Sequence, residues 1–157
     1  MSKEAFGYVY PSPDKAKYEA LMSYVGNLGV GFSRMEKNEL YNVPESFMEE
    51  KDILPFIIGD RPGYHNTTYL MDCYYHYDPI SSTIKFPADP RCRLKLFLDI
   101  IVNVFTLLDC QKMIIILTDG GQVESIKKIK VSEVIRIIGE DFMRYQGPPD
   151  ILYEIKK

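Results

Sequence analysis

A chain of 157 residues with a formal net charge of −3 has no surplus of lysine and arginine to set against phosphates, so sequence-independent nucleic-acid binding is not expected. Its 46% hydrophobic and 26% charged content is that of an ordinary globular protein, and one domain over residues 1–157 is expected at this length. Three cysteines (Cys73, Cys92, Cys110) are too few for a disulfide framework, the first residues lack a signal-peptide apolar run, and no apolar stretch approaches the ~20 residues of a membrane span; a cytoplasmic protein that does not enter membranes is expected.

Residues 6–10 read as a short strand with Phe6, Tyr8 and Tyr10 at alternate positions. A turn follows at Pro11-Ser12-Pro13-Asp14, and Asp14 caps a predicted helix over Lys15–Leu28. Tyr18, Leu21, Met22 and Val25 in that helix follow the i, i+3, i+4, i+7 spacing of one buried stripe. Gly26, Gly29 and Gly31 come after the helix and not before one, so they mark a stop and do not form a phosphate cradle.

Val43-Pro44-Glu45 predicts a second, acidic helix running to about Lys51 or Asp52, with Pro44 in its first turn and Pro55 beyond its end. Residues 36–60 hold seven acids against two lysines, a local charge that could steer a basic partner or simply face solvent. Residues 53–58 read as a strand or a buried loop, and residues 60–63 as a turn.

The segment YLMDCYYHYD, residues 69–78, reads as a strand that turns at residues 79–82 and pairs back through residues 83–86. With a period of two, Tyr69, Met71, Cys73, Tyr75 and Tyr77 share a core face, and Leu70, Asp72, Tyr74, His76 and Asp78 share the other. Asp89-Pro90 then opens the most apolar helix, from Arg91 to about Leu108, whose broad apolar surface implies that it covers a sheet. Residues 113–118, MIIILT, form a buried strand, and Asp119-Gly120-Gly121 supplies a hairpin turn that returns residues 122–130 as its partner. Ser132 caps a helix with Val134, Ile135, Ile137, Ile138 and Phe142 inward, and residues 151–155 make a last strand. The fold class is α+β: a mixed or mostly antiparallel sheet with hairpins, packed against three to four helices.

His76-x-Asp78 sets an imidazole and a carboxylate side by side, as two ligands of a facial metal triad would be. No histidine follows His76, and His65 lies upstream, so the third ligand is missing from its usual place. His76 as a general base needs an oriented carboxylate, yet Asp78 lies ~7 Å away on an extended strand. Cys73 on the core face is a poor nucleophile. The enzymatic alternative is a small hydrolase or metal-dependent enzyme using His65, His76, Asp72 and Asp78; a third reading is an adaptor or structural subunit.

No catalytic constellation, cofactor or metal is expected. With twelve tyrosines, recognition is the favoured reading, although several of those rings could instead fill a sheet–helix interface. The expected function is therefore a protein-binding inhibitor of the immunity-protein kind. Its partner-binding residues are Tyr64, Asp72, Tyr74, His76 and Asp78 with Glu45, Glu49, Glu50 and Asp52, set against a protein partner such as a basic toxin domain.

Overall fold

The computed structural model describes residues 3–72 and 86–157. In chain order its elements are β1 (Lys3–Tyr10), α1 (Lys15–Leu28), β2 (Gly31–Arg34), β3 (Leu54–Gly59), α2 (Pro90–Leu107), β4 (Lys112–Asp119), β5 (Ser125–Lys130), α3 (Val134–Tyr145) and β6 (Ile151–Lys156). The strands form one mixed sheet in the order β2-β3-β1-β4-β6-β5. Every neighbouring pair is antiparallel except β5 and β6, which run parallel on either side of α3. The chain is an α+β fold, as its pattern of elements predicts. No helix among the described residues is long and apolar enough to cross a membrane.

Local chemistry sets the ends of α1 and the start of α2 where the sequence places them. The Asp14 carboxylate accepts from the Lys17 N–H at 2.8 Å, and Gly29 ends α1 in the left-handed conformation with φ 73°. The Asp89 carboxylate accepts from the Arg91 and Cys92 N–H groups at 2.8 and 3.3 Å, and Pro90 occupies the first turn of α2.

Both faces of the sheet are covered. Ala5, Val9, Phe56, Ile58, Met113, Ile115, Leu117, Tyr153 and Ile155 meet α1, α2 and α3 on one face. Phe6, Tyr8, Ile57, Ile114, Ile116 and Leu152 face the other way and are roofed by Leu40, Val43, Phe47, Met48 and Ile53 from the connection between β2 and β3. That connection, residues 35–53, is here called the flap.

Four expectations are corrected. The hairpin from β4 to β5 does not form, because β6 lies between them. Gly120 and Gly121 do take positive φ (99° and 85°), but the chain passes beyond the neighbouring position. Burial decides the order: β6 (ILYEIK) is buried at five of its six positions and takes the inner place, whereas β5 (SIKKIK) buries only Ile129 and its lysines suit an edge.

The acidic helix expected from Pro44 to about Asp52 is a single 3-10 turn over Glu45–Phe47. The Phe47 carbonyl, which a helix would pair with the Lys51 N–H, is taken by a tertiary donor, and a second one holds the end of the segment. The Tyr8 hydroxyl donates to the Phe47 carbonyl at 2.5 Å, and Lys37 Nζ donates to the Glu50 carbonyl at 3.0 Å.

Residues 69–72 are a turn and not the start of a strand, and Leu70 and Met71 are both fully buried, which breaks the expected alternation. The Asp60 carboxylate accepts from the Tyr69 and Leu70 N–H groups at 3.1 and 3.0 Å, and the Arg93 guanidinium donates to the Tyr69 and Asp72 carbonyls at 2.9 and 3.0 Å. Backbone groups that a strand would offer to a neighbour are thus consumed by two buried charges. Residues 73–78 of that predicted strand, and its turn and return through residue 85, lie outside the described residues.

Finally, Ser132 falls in a 3-10 turn over Val131–Glu133, so α3 begins at Val134. Its inner stripe is Val134, Ile138, Asp141 and Phe142, which leaves Ile135 about 100° around the helix and 45% exposed.

Candidate partner-binding surface

The flap is a loop by hydrogen-bonding pattern, but it is fastened along its length. At its crossing of the sheet, the Tyr41 ring stacks on Phe6 with centroids 4.6 Å apart, and the Tyr41 hydroxyl donates to the Glu4 carboxylate. Asn42, in a left-handed conformation with φ 58°, donates its side-chain N–H to the Gly121 carbonyl. Further on, Tyr8 holds Phe47 and Lys112 Nζ pairs with the Glu50 carboxylate at 2.9 Å. At the far end the Ser12 N–H donates to the Asp52 carbonyl at 2.8 Å. Burial, with Glu50 and Glu154 nearby, pushes the Tyr8 phenol from 10.0 up to about 12, so it remains a proton donor at every physiological pH.

This fastening sorts the flap's side chains. Its apolar groups turn onto the sheet, and Glu36, Glu39, Glu45, Glu49 and Asp52 remain exposed. Two of the six acids between residues 36 and 52 have internal work. Glu50 pairs with Lys112, and the Glu39 carboxylate accepts from the Glu36 N–H at 2.8 Å. Lys37 and Lys51 are the only cations in the same stretch, and Lys37 is turned toward the Glu50 carbonyl. The outer surface is acidic and its backbone is held before any partner arrives.

Among the residues predicted to bind a partner, Glu45, Glu49, Glu50 and Asp52 come together on this surface. Tyr64 and His65 do not join them. Both are exposed in the loop after β3, a strand's length (~20 Å) from Asp52. The Tyr64 ring lies under the Arg61 guanidinium at 4.0 Å. That loop folds tightly onto the strand end: a Cβ on Gly59 would sit 1.7 Å from the Tyr64 carbonyl oxygen. Asp72 is buried, only 6% exposed, beside the Arg93 guanidinium that its own carbonyl accepts from. Tyr74, His76 and Asp78 lie outside the described residues, so His65 and Asp72 are the only members of the enzymatic alternative that have a described position.

Two buried polar centres escape a reading by periodicity. In the first, Arg93 (1% exposed) donates to the carbonyls of Tyr69, Asp72, Pro87 and Ala88, while Asp60 (4% exposed) receives two N–H groups of the same turn. Burial raises the Asp60 carboxyl above its ordinary value, against the pull of those N–H bonds. In the second, the Asp141 carboxylate accepts from the Tyr153 hydroxyl at 2.7 Å and from Lys127 Nζ at 2.7 and 2.9 Å, which ties α3 to β5 and β6. Burial and the adjacent carboxylate drive the Tyr153 phenol strongly upward. The signal for both was one charged residue standing in an otherwise apolar helical stripe, Arg93 four before Phe97 and Asp141 three after Ile138.

These centres are internally satisfied: among the described residues no buried side-chain nitrogen or oxygen lacks a partner, and no group of three or more His, Cys, Asp and Glu is arranged to hold a metal ion. Burial also lifts the Cys110 thiol to about 12, far from a reactive thiolate. No family model, no curated protein and no solved structure matches this chain.

Proposed function

We propose that this chain is a protein-binding inhibitor of the immunity-protein kind, acting in the cytoplasm by covering a basic protein domain, with a toxin domain as the partner class. The single observation that supports this reading is the fastened acidic flap. Glu45, Glu49 and Asp52 project from a loop whose backbone is held by Tyr8 and Lys37 and whose Glu50 side chain is paired with Lys112. Fixed carboxylates accelerate encounter with a basic surface and reduce the ordering cost of docking. The same carboxylates repel phosphates, so the partner is a protein and not a nucleic acid. No catalytic step is assigned to the chain.

The test is calorimetry and stopped-flow association with the partner that co-purifies with the chain from its native cells. Reversing Glu45, Glu49 and Asp52 to lysine should slow association about tenfold or more at low salt and flatten its salt dependence. An unchanged association rate would place the contact elsewhere on the molecule.

A further inference from the structure

The helical layer carries a second surface of opposite character. α2 and α3 pack through Phe97 and Phe142, whose rings meet edge-on at 6.3 Å, and residues of both helices line a trough of about 860 Å3. Its walls are apolar: Leu94 and Leu98 from α2, Ile135 and Met143 from α3. Ile135 and Met143 are 45% and 49% exposed, among the largest apolar exposures described. Its rim is basic, with Arg91 and Lys95 on one side and Arg136 and Arg144 on the other, against a single acid, Glu140.

That charge is offset only in part. Lys95 meets Asp99 at 3.8 Å and Arg136 meets Glu133 at 3.2 Å, both in solvent where such pairs are weak. Arg91 and Arg144 have no carboxylate partner among the described residues. The floor is Gly139, in the interior of α3, where glycine is the least favourable residue after proline. Helix packing does not demand it: a Cβ there would meet only the Leu98 Cδ1 at 3.5 Å, an ordinary contact. Any side chain there would project into the trough and make it shallower.

We propose that this trough docks an acidic amphipathic helix of a protein partner. It runs from Ile135 to Met143, ~12 Å along α3, which accommodates apolar anchors at i, i+3, i+4 and i+7 of an incoming helix. Arginines on both rims then face glutamates and aspartates on the two flanks of that helix. The trough lies open along its length, so a small amphiphile would leave one side in water, whereas a helix seats only one face. A nucleic acid has no use for the aliphatic floor. A membrane surface needs protruding apolar side chains, not a concave trough. This site is independent of the acidic flap, which lies across the sheet.

The test uses a fluorescently labelled synthetic peptide of about 18 residues, with leucine at i, i+3, i+4 and i+7 and glutamate on the flanks, followed by anisotropy against the full chain. Saturable binding is expected. It should weaken at least about tenfold in the exposed double variant Arg91→Glu/Arg144→Glu, and equally in Gly139→Met, which fills the floor. A lysine-flanked version of the peptide should not bind. Thermal melts establish that both variants are folded, and the rim variant alone decides the matter if Gly139→Met is not. Equal binding of a shuffled peptide of the same composition overturns the proposal, as does wild-type affinity in the rim variant. So does a dimer of the free chain that Gly139→Met dissociates, since the trough would then hold a second copy. Binding to phosphatidylserine vesicles that is lost in the rim variant, with no peptide binding, also overturns it. Reversing Glu45 and Glu49 should leave peptide affinity unchanged, which separates a failure here from a failure of the flap reading.

Discussion

Arg93 occupies a position that its neighbours reserve for aliphatic and aromatic side chains. Its five N–H donors form a rigid fork, and here the fork reaches four backbone carbonyls on two separate stretches of chain, residues 69–72 and 87–88. Those carbonyls cannot all find water if the fork is removed. Arg93→Met keeps most of the volume but leaves several acceptors unpaired, and it should destabilise the protein by about 3 kcal/mol or more in urea unfolding. Arg93→Lys should rescue little, because an ammonium point charge cannot span the same acceptors. A loss below about 1 kcal/mol for Arg93→Met would mean that the turn at residues 69–72 holds without it. Tyr8 permits a pH test. Its folded pKa of about 12 lies above the ordinary 10.0, so between those values the unfolded chain has released a proton that the folded chain retains. Stability present below pH 10 is therefore lost as pH rises toward 12. Tyr8→Phe should cost about 1 kcal/mol at neutral pH, the worth of its bond to Phe47, and should flatten the alkaline decline measured by chemical denaturation from pH 8 to 12. An identical decline in both proteins would assign the alkaline sensitivity to other groups.

At the scale of elements, the crossover β5–α3–β6 depends on Asp141. Lys127 is partly exposed and can turn to water when Asp141 is removed, but the buried Tyr153 hydroxyl cannot. Asp141→Ala should thus cost about 2–3 kcal/mol, chiefly through Tyr153, and Tyr153→Phe about 1 kcal/mol. In the Tyr153→Phe background, Asp141→Ala should cost about 1 kcal/mol less than it does alone, a coupling that a double-mutant cycle in urea measures. Strictly additive losses would show that the two groups do not act together. The sequence carries the ends of α1 and the start of α2 plainly, because Asp14, Gly29, Asp89 and Pro90 act within one turn of where they stand. The inner position of β6 is less legible. It is decided by competition between two strands for one neighbour, and only the lysines of β5 hint at the outcome. Residues 69–72 were illegible as a turn for a similar reason: the groups that bend them, Asp60 and Arg93, are nine and more residues away in the chain. The flap reads as a helix start in composition, with a proline and acids in its first turn, but Phe47 and Met48 are drawn to the sheet together. Of the candidate surface, the acids were legible because charge survives any local conformation; the trough was not, because it is made jointly by residues of two helices that are far apart in the chain.

At the scale of the whole molecule, the single sheet separates two surfaces of opposite charge. The flap lies on one face with its carboxylates outward, and the trough lies in the outer part of the helical layer on the other face. A sheet, a helix layer and the flap intervene, a span of roughly 20 Å when layers stack at about 10 Å. Charges so far apart, with solvent around both, are screened from each other at physiological salt. Neither surface shares a side chain with the other, and effects at sites more than about 10 Å apart with no common partners add. Affinity of the acidic peptide for the trough should therefore be the same, within about twofold, whether or not the flap's partner is bound. Anisotropy titrations of the peptide, carried out on the free chain and on its saturated complex, measure this directly. A change of about tenfold or more would require an element that both ligands bias, and the Asp141 centre is the first place to seek it, since it joins α3, which lines the trough, to β6, whose Leu152 lies under the flap side of the sheet. Repeating the titrations on Tyr153→Phe would then decide: coupling that vanishes with the hydroxyl runs through that centre, and coupling that persists does not.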